Sequence, residues 1–238
     1  MNVASEPIVR KKLSDEVFAR LKHMIETGEL KAGDDMPSER ELMERYGVGR
    51  PAIREAMQAL AGKGLVEISQ GERAKVLRIT AETIIRQVDL PAKLMLSGSS
   101  DTLEHLKSAR IFFERGMIRE AAGKATPEDI ANLKALLDKQ RQSLGDADAF
   151  IDADMEFHQS IAAISGNPIF AAVSGAMLGW LKSYHTEMLI WTGRENVTLA
   201  EHEEIIRALE KGNADLAEKA MIKHLERSRA LYALKGQS

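Results

Sequence analysis

Apolar residues change their spacing twice along the chain. Val17, Phe18, Leu21, Met24 and Ile25 recur at the three- and four-residue intervals of one helix face. Ser14 is the expected N-cap of that helix and Gly28 its end. Lys31-Ala32-Gly33-Asp34-Asp35 has turn composition, and Pro37-Ser38-Glu39-Arg40-Glu41 opens a short second helix. There Ser38 and Glu41 have the spacing of a capping box. The second helix stops at Tyr46-Gly47, and Val48-Gly49 turns the chain into a third. Gly49 serves as N-cap and Pro51 sits in the first turn, where its missing N–H costs nothing. Two short helices joined by a glycine-containing turn form a helix-turn-helix pattern.

After Gly62-Lys63-Gly64 the period shortens. Leu65-Val66-Glu67-Ile68 and Ala74-Lys75-Val76-Leu77 are β-prone runs around Gln70-Gly71-Glu72-Arg73, which predicts a hairpin. A hairpin there is either purely structural or the wing of a winged helix-turn-helix; the helix pair before it favours the wing. From Thr80 onward the spacing is helical again, over roughly 81–96, 102–123, 127–143, 147–165, 168–191, 196–212 and 214–234. Short links with Gly, Asn, Pro and Asp separate these stretches, which predicts an antiparallel bundle. The expected fold is mainly α: residues 1–78 as a winged helix-turn-helix and 79–238 as an all-helical domain.

The third helix has two faces. Ile53, Met57 and Leu60 make one apolar side; Arg50, Arg54 and Gln58 fall on another. Guanidinium groups so placed can bridge guanine O6 and N7 or clamp phosphates in a major groove. They could equally be two solvated arginines on a surface helix. Charge does not decide it. Residues 1–78 carry 14 Lys+Arg against 13 Asp+Glu, a net of +1, and the remainder 19 against 23, a net of −4. With 44% hydrophobic and 29% charged residues the composition is that of a soluble globular protein. No apolar run approaches a membrane span and the start lacks a signal-peptide pattern, so a cytoplasmic location is expected. The absence of cysteine excludes disulfides and thiolate metal sites.

The order of a helix, Pro-Ser-Glu-Arg-Glu-Leu, Val-Gly-Arg-Pro-Ala-Ile-Arg-Glu-Ala and a Gln-Gly wing resembles the DNA-binding unit of GntR transcription regulators. The helical remainder resembles the FCD effector domain of their FadR subgroup. Arg10-Lys11-Lys12-Leu13-Ser14, Gly71-Glu72-Arg73-Ala74-Lys75-Val76, Phe112-Phe113-Glu114 and Gly166-Asn167-Pro168-Ile169-Phe170 are similar to the sialic-acid-responsive branch. The resemblance implies Arg40, Arg50 and Arg54 as DNA contacts, with Gln70 and Gly71 at the wing tip. Arg40 lies in the first turn of its helix, where free N–H groups already favour phosphate. An Arg40–Glu44 pair at i,i+4 is the competing reading.

In metal-binding FCD domains an Asp-x-x-x-His pair joins two later histidines, and Asp154, His158, His202 and His224 match that order. Three imidazoles and a carboxylate suit Zn²⁺ or Ni²⁺. His23, on the first helix, is expected to be structural or exposed, and His105 and His185 have no evident partner. Arg110 matches the arginine that recurs near the acid effector in such domains; a helix-surface Arg110–Glu114 pair is the alternative. Asn167 either faces the same cavity or turns the chain. Trp180, Tyr184 and Trp191 are explained by core packing.

The function implied is a ligand-responsive, DNA-binding repressor of sialic acid catabolism genes. It would be a homodimer on double-stranded operator DNA, with N-acetylneuraminate bound beside a divalent metal. A second reading changes the effector to another sugar acid or a hydroxy acid. A third, a metal-dependent hydrolase, lacks a general base, because Glu156 points off the Asp154–His158 face, and it leaves the first 78 residues unexplained.

Overall fold

The computed structural model describes residues 12–69, 71–189 and 195–233. Gln70 and Trp191 lie outside the described residues, as do most of the amino-terminal arm and the side chains of Tyr184 and His185. The chain forms two compact units that divide between Gln87 and Val88.

The first unit holds α1 (Leu13–Glu26), α2 (Glu39–Tyr46), α3 (Arg50–Gly62) and a two-stranded antiparallel hairpin, β1 (Val66–Glu67) with β2 (Lys75–Val76). Val66 faces Val76 and Glu67 faces Lys75 in its register. The start of α1 differs from expectation. Lys12, not Ser14, occupies the cap position, and its carbonyl accepts the Asp15 and Glu16 N–H groups. Ser14 falls on the α1 face that carries Val17 and Leu21 and is buried there. Asp15 and Glu16 suit the positive end of the helix dipole in its place. On α2 the Ser38–Glu41 capping box is closed in both directions, and Gly47 ends the helix at φ +64. On α3 Gly49 is the N-cap and Pro51 lies in the first turn. Val17, Leu21, Leu42, Ile53, Leu60 and Val66 meet in one core and fix the angle between α2 and α3.

α4 (Ala81–Ser97) crosses the division between units. The second unit continues with α5 (Ser100–Ala122), α6 (Pro127–Gln142), α7 (Ala147–Ile164), α8 (Pro168–Leu189), α9 (Glu195–Glu210) and α10 (Ala214–Ala233). Thr126 and Asp129 make a second capping box, and the Asp146 and Asn213 side chains accept at the starts of α7 and α10. The main core joins Ile118, Leu133, Phe157, Ile161, Ile205 and Met221 from five helices. A smaller cluster packs Leu96 and Leu106 against Met177 and Leu181. Trp180 lies beside it, and its indole N–H donates to Asp89 at 2.8 Å. No described helix is long and apolar enough to cross a membrane.

Candidate metal centre and DNA-reading helix

Asp154 and His158 stand one turn apart on α7, His202 on α9 and His224 on α10. One nitrogen or oxygen of each lies within 4.8 Å of the others. The three imidazoles are buried and Asp154 is half-buried. Asp154 Oδ1 is 3.5 Å from His202 Nε2, and Oδ2 is 3.8 Å from His158 Nε2.

The other nitrogen of each ring is occupied by a side chain from outside the quartet. His158 Nδ1 meets Glu114 Oε2 of α5 at 2.5 Å, His202 Nδ1 meets Gln140 Oε1 of α6 at 2.9 Å, and His224 Nδ1 meets Glu201 Oε2 of α9 at 2.9 Å. Nε2 is therefore the nitrogen each ring has left. In His158 and His202 it is buried without a hydrogen-bond partner. Two such orphaned nitrogens beside one carboxylate are costly in a protein interior. A divalent cation removes the cost, so the residues present fit a metal ion.

The electrostatics agree with neutral rings at His202 and His224 and ionised carboxylates at Glu114 and Glu201. Burial holds His202 well below the usual imidazole range, and His224 and His158 add to it. Burial also holds His224 low, against the opposing hydrogen bond that its Nδ1–H donates to Glu201. Burial pushes the Glu114 carboxyl up, but the Arg110 guanidinium and His158 outweigh it and leave it at about 2. Glu201 is likewise at about 2, because His224 and Arg227 overcome its burial. Arg227 Nε bonds both Glu201 oxygens, at 2.9 and 2.8 Å.

Arg110 Nε donates to Glu114 Oε1. This is the i,i+4 pair anticipated as a surface alternative, but it is not on the surface: the Glu114 side chain is only 4% exposed. Its second oxygen goes to His158, so Arg110 is joined to the quartet through one carboxylate. Asn167 sits at the start of α8, where its Oδ1 accepts the Ile169 N–H at 3.0 Å. That is the turn role. Glu156 points away and pairs with Lys139. His23 and His105 are exposed.

Glu114, Gln140, Glu201, Arg227 and Phe157 are site residues that sequence reasoning did not assign. Gln140 left a trace: it continues the Leu133–Leu137 stripe of α6, where an apolar residue is expected.

In the first unit α3 buries Ile53, Ala56, Met57 and Leu60 and leaves Arg50, Arg54 and Gln58 exposed. Glu39, the first residue of α2, lies 3.5 Å from Arg50 Nε and 3.4 Å from Arg54 Nε. Arg40 Nε is 3.5 Å from Glu44 Oε1, with both side chains largely exposed. Such a pair contributes well under about 1 kcal/mol and leaves the guanidinium free to move to another anion. Gly71 is exposed at φ +82, in the turn between β1 and β2.

Residues 105–227 match the FCD domain, and residues 13–76 match the bacterial regulatory proteins of the gntR family. The chain is 43% identical over 228 residues to the HTH-type transcriptional repressor NanR of Cronobacter sakazakii, covering 94% of this chain and 86% of that protein. It is 41% identical over 239 residues to the repressor of the same name from Escherichia coli K12, covering 100% and 90%. Among solved structures, the Streptococcus agalactiae GntR superposes with a TM-score of 0.66 at 25% identity, over 91% of this chain and 99% of that one. E. coli McbR/YncC shares the fold, with a TM-score of 0.53 at 19% identity over 94% and 99%. Regulators of this kind bind operator DNA and small-molecule effectors, and FCD domains often hold a divalent metal. They are not enzymes, and the hydrolase reading falls with that. With its helical part matched over more than half the chain and relatives above 40% identical along nearly all of it, the protein belongs to the GntR family of transcription regulators, in the group with an FCD domain.

Proposed function

We propose that the chain is a metal-dependent repressor of sialic acid catabolism genes, acting as a homodimer. Residues 1–78 read the operator: Arg50 and Arg54 address base edges, Arg40 a phosphate, and Gln70 and Gly71 the adjacent groove at the wing tip. Residues 79–238 hold Zn²⁺ on Asp154, His158, His202 and His224, with Ni²⁺ an acceptable substitute for the same donors. The ion supplies an electrophilic position for the carboxylate of N-acetylneuraminate. Arg110 completes the pocket as the charge partner of the acid, while Asn167 keeps its role at the turn into α8. Leu90, Leu94, Met95 and Phe112 are large exposed apolar side chains of the second unit, of the kind a second copy would cover. Binding would release the operator because the ligand favours one arrangement of the DNA-binding units over the other.

The observation that carries this reading is the pair of buried, partnerless imidazole nitrogens facing Asp154. Its support is the likeness to repressors of the NanR name over the whole chain. The test is calorimetric titration of N-acetylneuraminate into the zinc-loaded protein. It is followed by gel shifts at fixed salt on duplexes selected from a random library. Heat on titration and loss of the shifted band are expected. Absence of both would remove the sialic acid assignment, and heat with another sugar acid would replace it.

A further inference from the structure

We propose that Gln140 is a positioning residue of the metal centre. Its amide is oriented by Asp154 and in turn fixes His202 as the Nδ1–H tautomer, with Nε2 presented to the ion. This rests on the metal reading above and adds a residue that reading did not contain.

The geometry is specific. Gln140 is fully buried on α6. Its Nε2 donates to Asp154 Oδ1 at 3.1 Å, and its Oε1 lies 2.9 Å from His202 Nδ1. An amide is a donor at one end and an acceptor at the other. Turned over, it would aim its oxygen at a carboxylate and its NH₂ at the ring nitrogen. The first contact is repulsive. The second requires Nδ1 to be an acceptor, which puts the ring proton on Nε2 and closes that nitrogen to a metal. Asp154 thus selects the amide orientation, and the amide selects the tautomer.

The other two imidazoles do not need this relay. His158 and His224 meet the carboxylates of Glu114 and Glu201, which accept from Nδ1 whichever oxygen is offered. These two carboxylates are anchored by Arg110 and Arg227. Only His202 depends on a neutral group with two distinguishable ends. Its ring plane is already held by Phe157, stacked on it with centroids 4.1 Å apart. Packing sets where the ring lies, and Gln140 sets which nitrogen carries the proton.

The test uses full-length protein labelled with ¹⁵N-histidine and stripped of metal. Long-range ¹H–¹⁵N correlation at neutral pH reads each ring's tautomer, with His202→Asn giving the assignment. Wild-type His202 is expected as Nδ1–H. In Gln140→Leu the His202 signal is expected to move to the Nε2–H or averaged pattern. The zinc dissociation constant, read by competition with a chromophoric chelator, is expected to rise tenfold to a hundredfold. Gln140→Met, unbranched and closer in volume, gives the same readout should the leucine variant fail to fold. An Nε2–H tautomer in the wild type, or wild-type zinc affinity in a folded variant, would overturn the proposal. A wild type that takes up no zinc would overturn the metal reading itself, and this assignment with it.

Discussion

Phe157 and His202 lie face to face, with ring centroids 4.1 Å apart and planes inclined by 11°. One is the centre of the hydrophobic core and the other a proposed ligand, so packing and site share a wall. Both are completely buried. Phe157→Ala is expected to cost about 3–5 kcal/mol of stability in metal-free protein, through lost burial and the cavity left behind. Zinc affinity should fall as well, because His202 loses the surface that holds its plane. Urea unfolding with and without zinc measures both. A variant destabilised by less than 1 kcal/mol, on the order of a conservative core swap, would show that the stack contributes little.

Glu39 contacts both Arg50 and Arg54, at 3.5 and 3.4 Å, and sets them side by side. Arg50→Ala or Arg54→Ala should abolish operator binding while circular dichroism stays that of the wild type. A lost bidentate contact to guanine accounts for roughly 1–3 kcal/mol per site. Glu39→Gln should act differently. It removes a negative charge near the phosphates and frees the two guanidinium groups. Binding to random duplex should therefore tighten more than binding to the selected operator. Gel shifts on both duplexes at one salt concentration decide it; a uniform change would mean that Glu39 does not order the arginines.

Arg40 is set apart from that pair by its exposed contact with Glu44. A phosphate contact made by Arg40 carries no sequence information. Arg40→Ala should weaken all duplexes alike and reduce the slope of log affinity against log salt by about 1 per subunit, about 2 for the dimer. Loss of discrimination between operator and random duplex would move Arg40 into the base-reading set.

The elements that local chemistry dictates were legible in the sequence. The Ser38–Glu41 and Thr126–Asp129 boxes, Gly49 with Pro51, and the glycines that end helices are signals within four residues of each other. Ser14 misled because a hydroxyl before an apolar stripe reads as a cap, and burial beside Leu21 took precedence. The quartet was legible through a family pattern. Its supports were not. Glu114 and Gln140 lie 44 and 62 residues from the histidines they hold. No local spacing encodes that a buried Glu or Gln will meet a particular ring. Glu201 adjoins His202 in sequence yet serves His224, a pairing that only the packing of α9 against α10 creates.

Metal removal should expose a particular acid sensitivity. In the metal-free protein His202 and His224 are held below the usual imidazole value of 6.5, chiefly by burial. Above that value neither folded nor unfolded chain gains protons at these rings, so stability is independent of pH on their account. As pH falls below it the unfolded chain takes up protons that the folded rings refuse, and stability declines. Glu114 and Glu201, at about 2 when folded against 4.5 ordinarily, add a second loss as pH drops from 4.5 towards 2. Zinc changes the first loss but not its sign. The unfolded rings set where the decline begins, so zinc leaves the onset in place, starts it from a higher melting temperature, and extends it to the lower pH at which protons displace the ion. Melting curves between pH 8 and 5, with zinc and with chelator, should diverge most at the neutral end and converge once acid has expelled the metal. Superimposable curves across that whole range would mean that these four side chains bind no ion worth measuring.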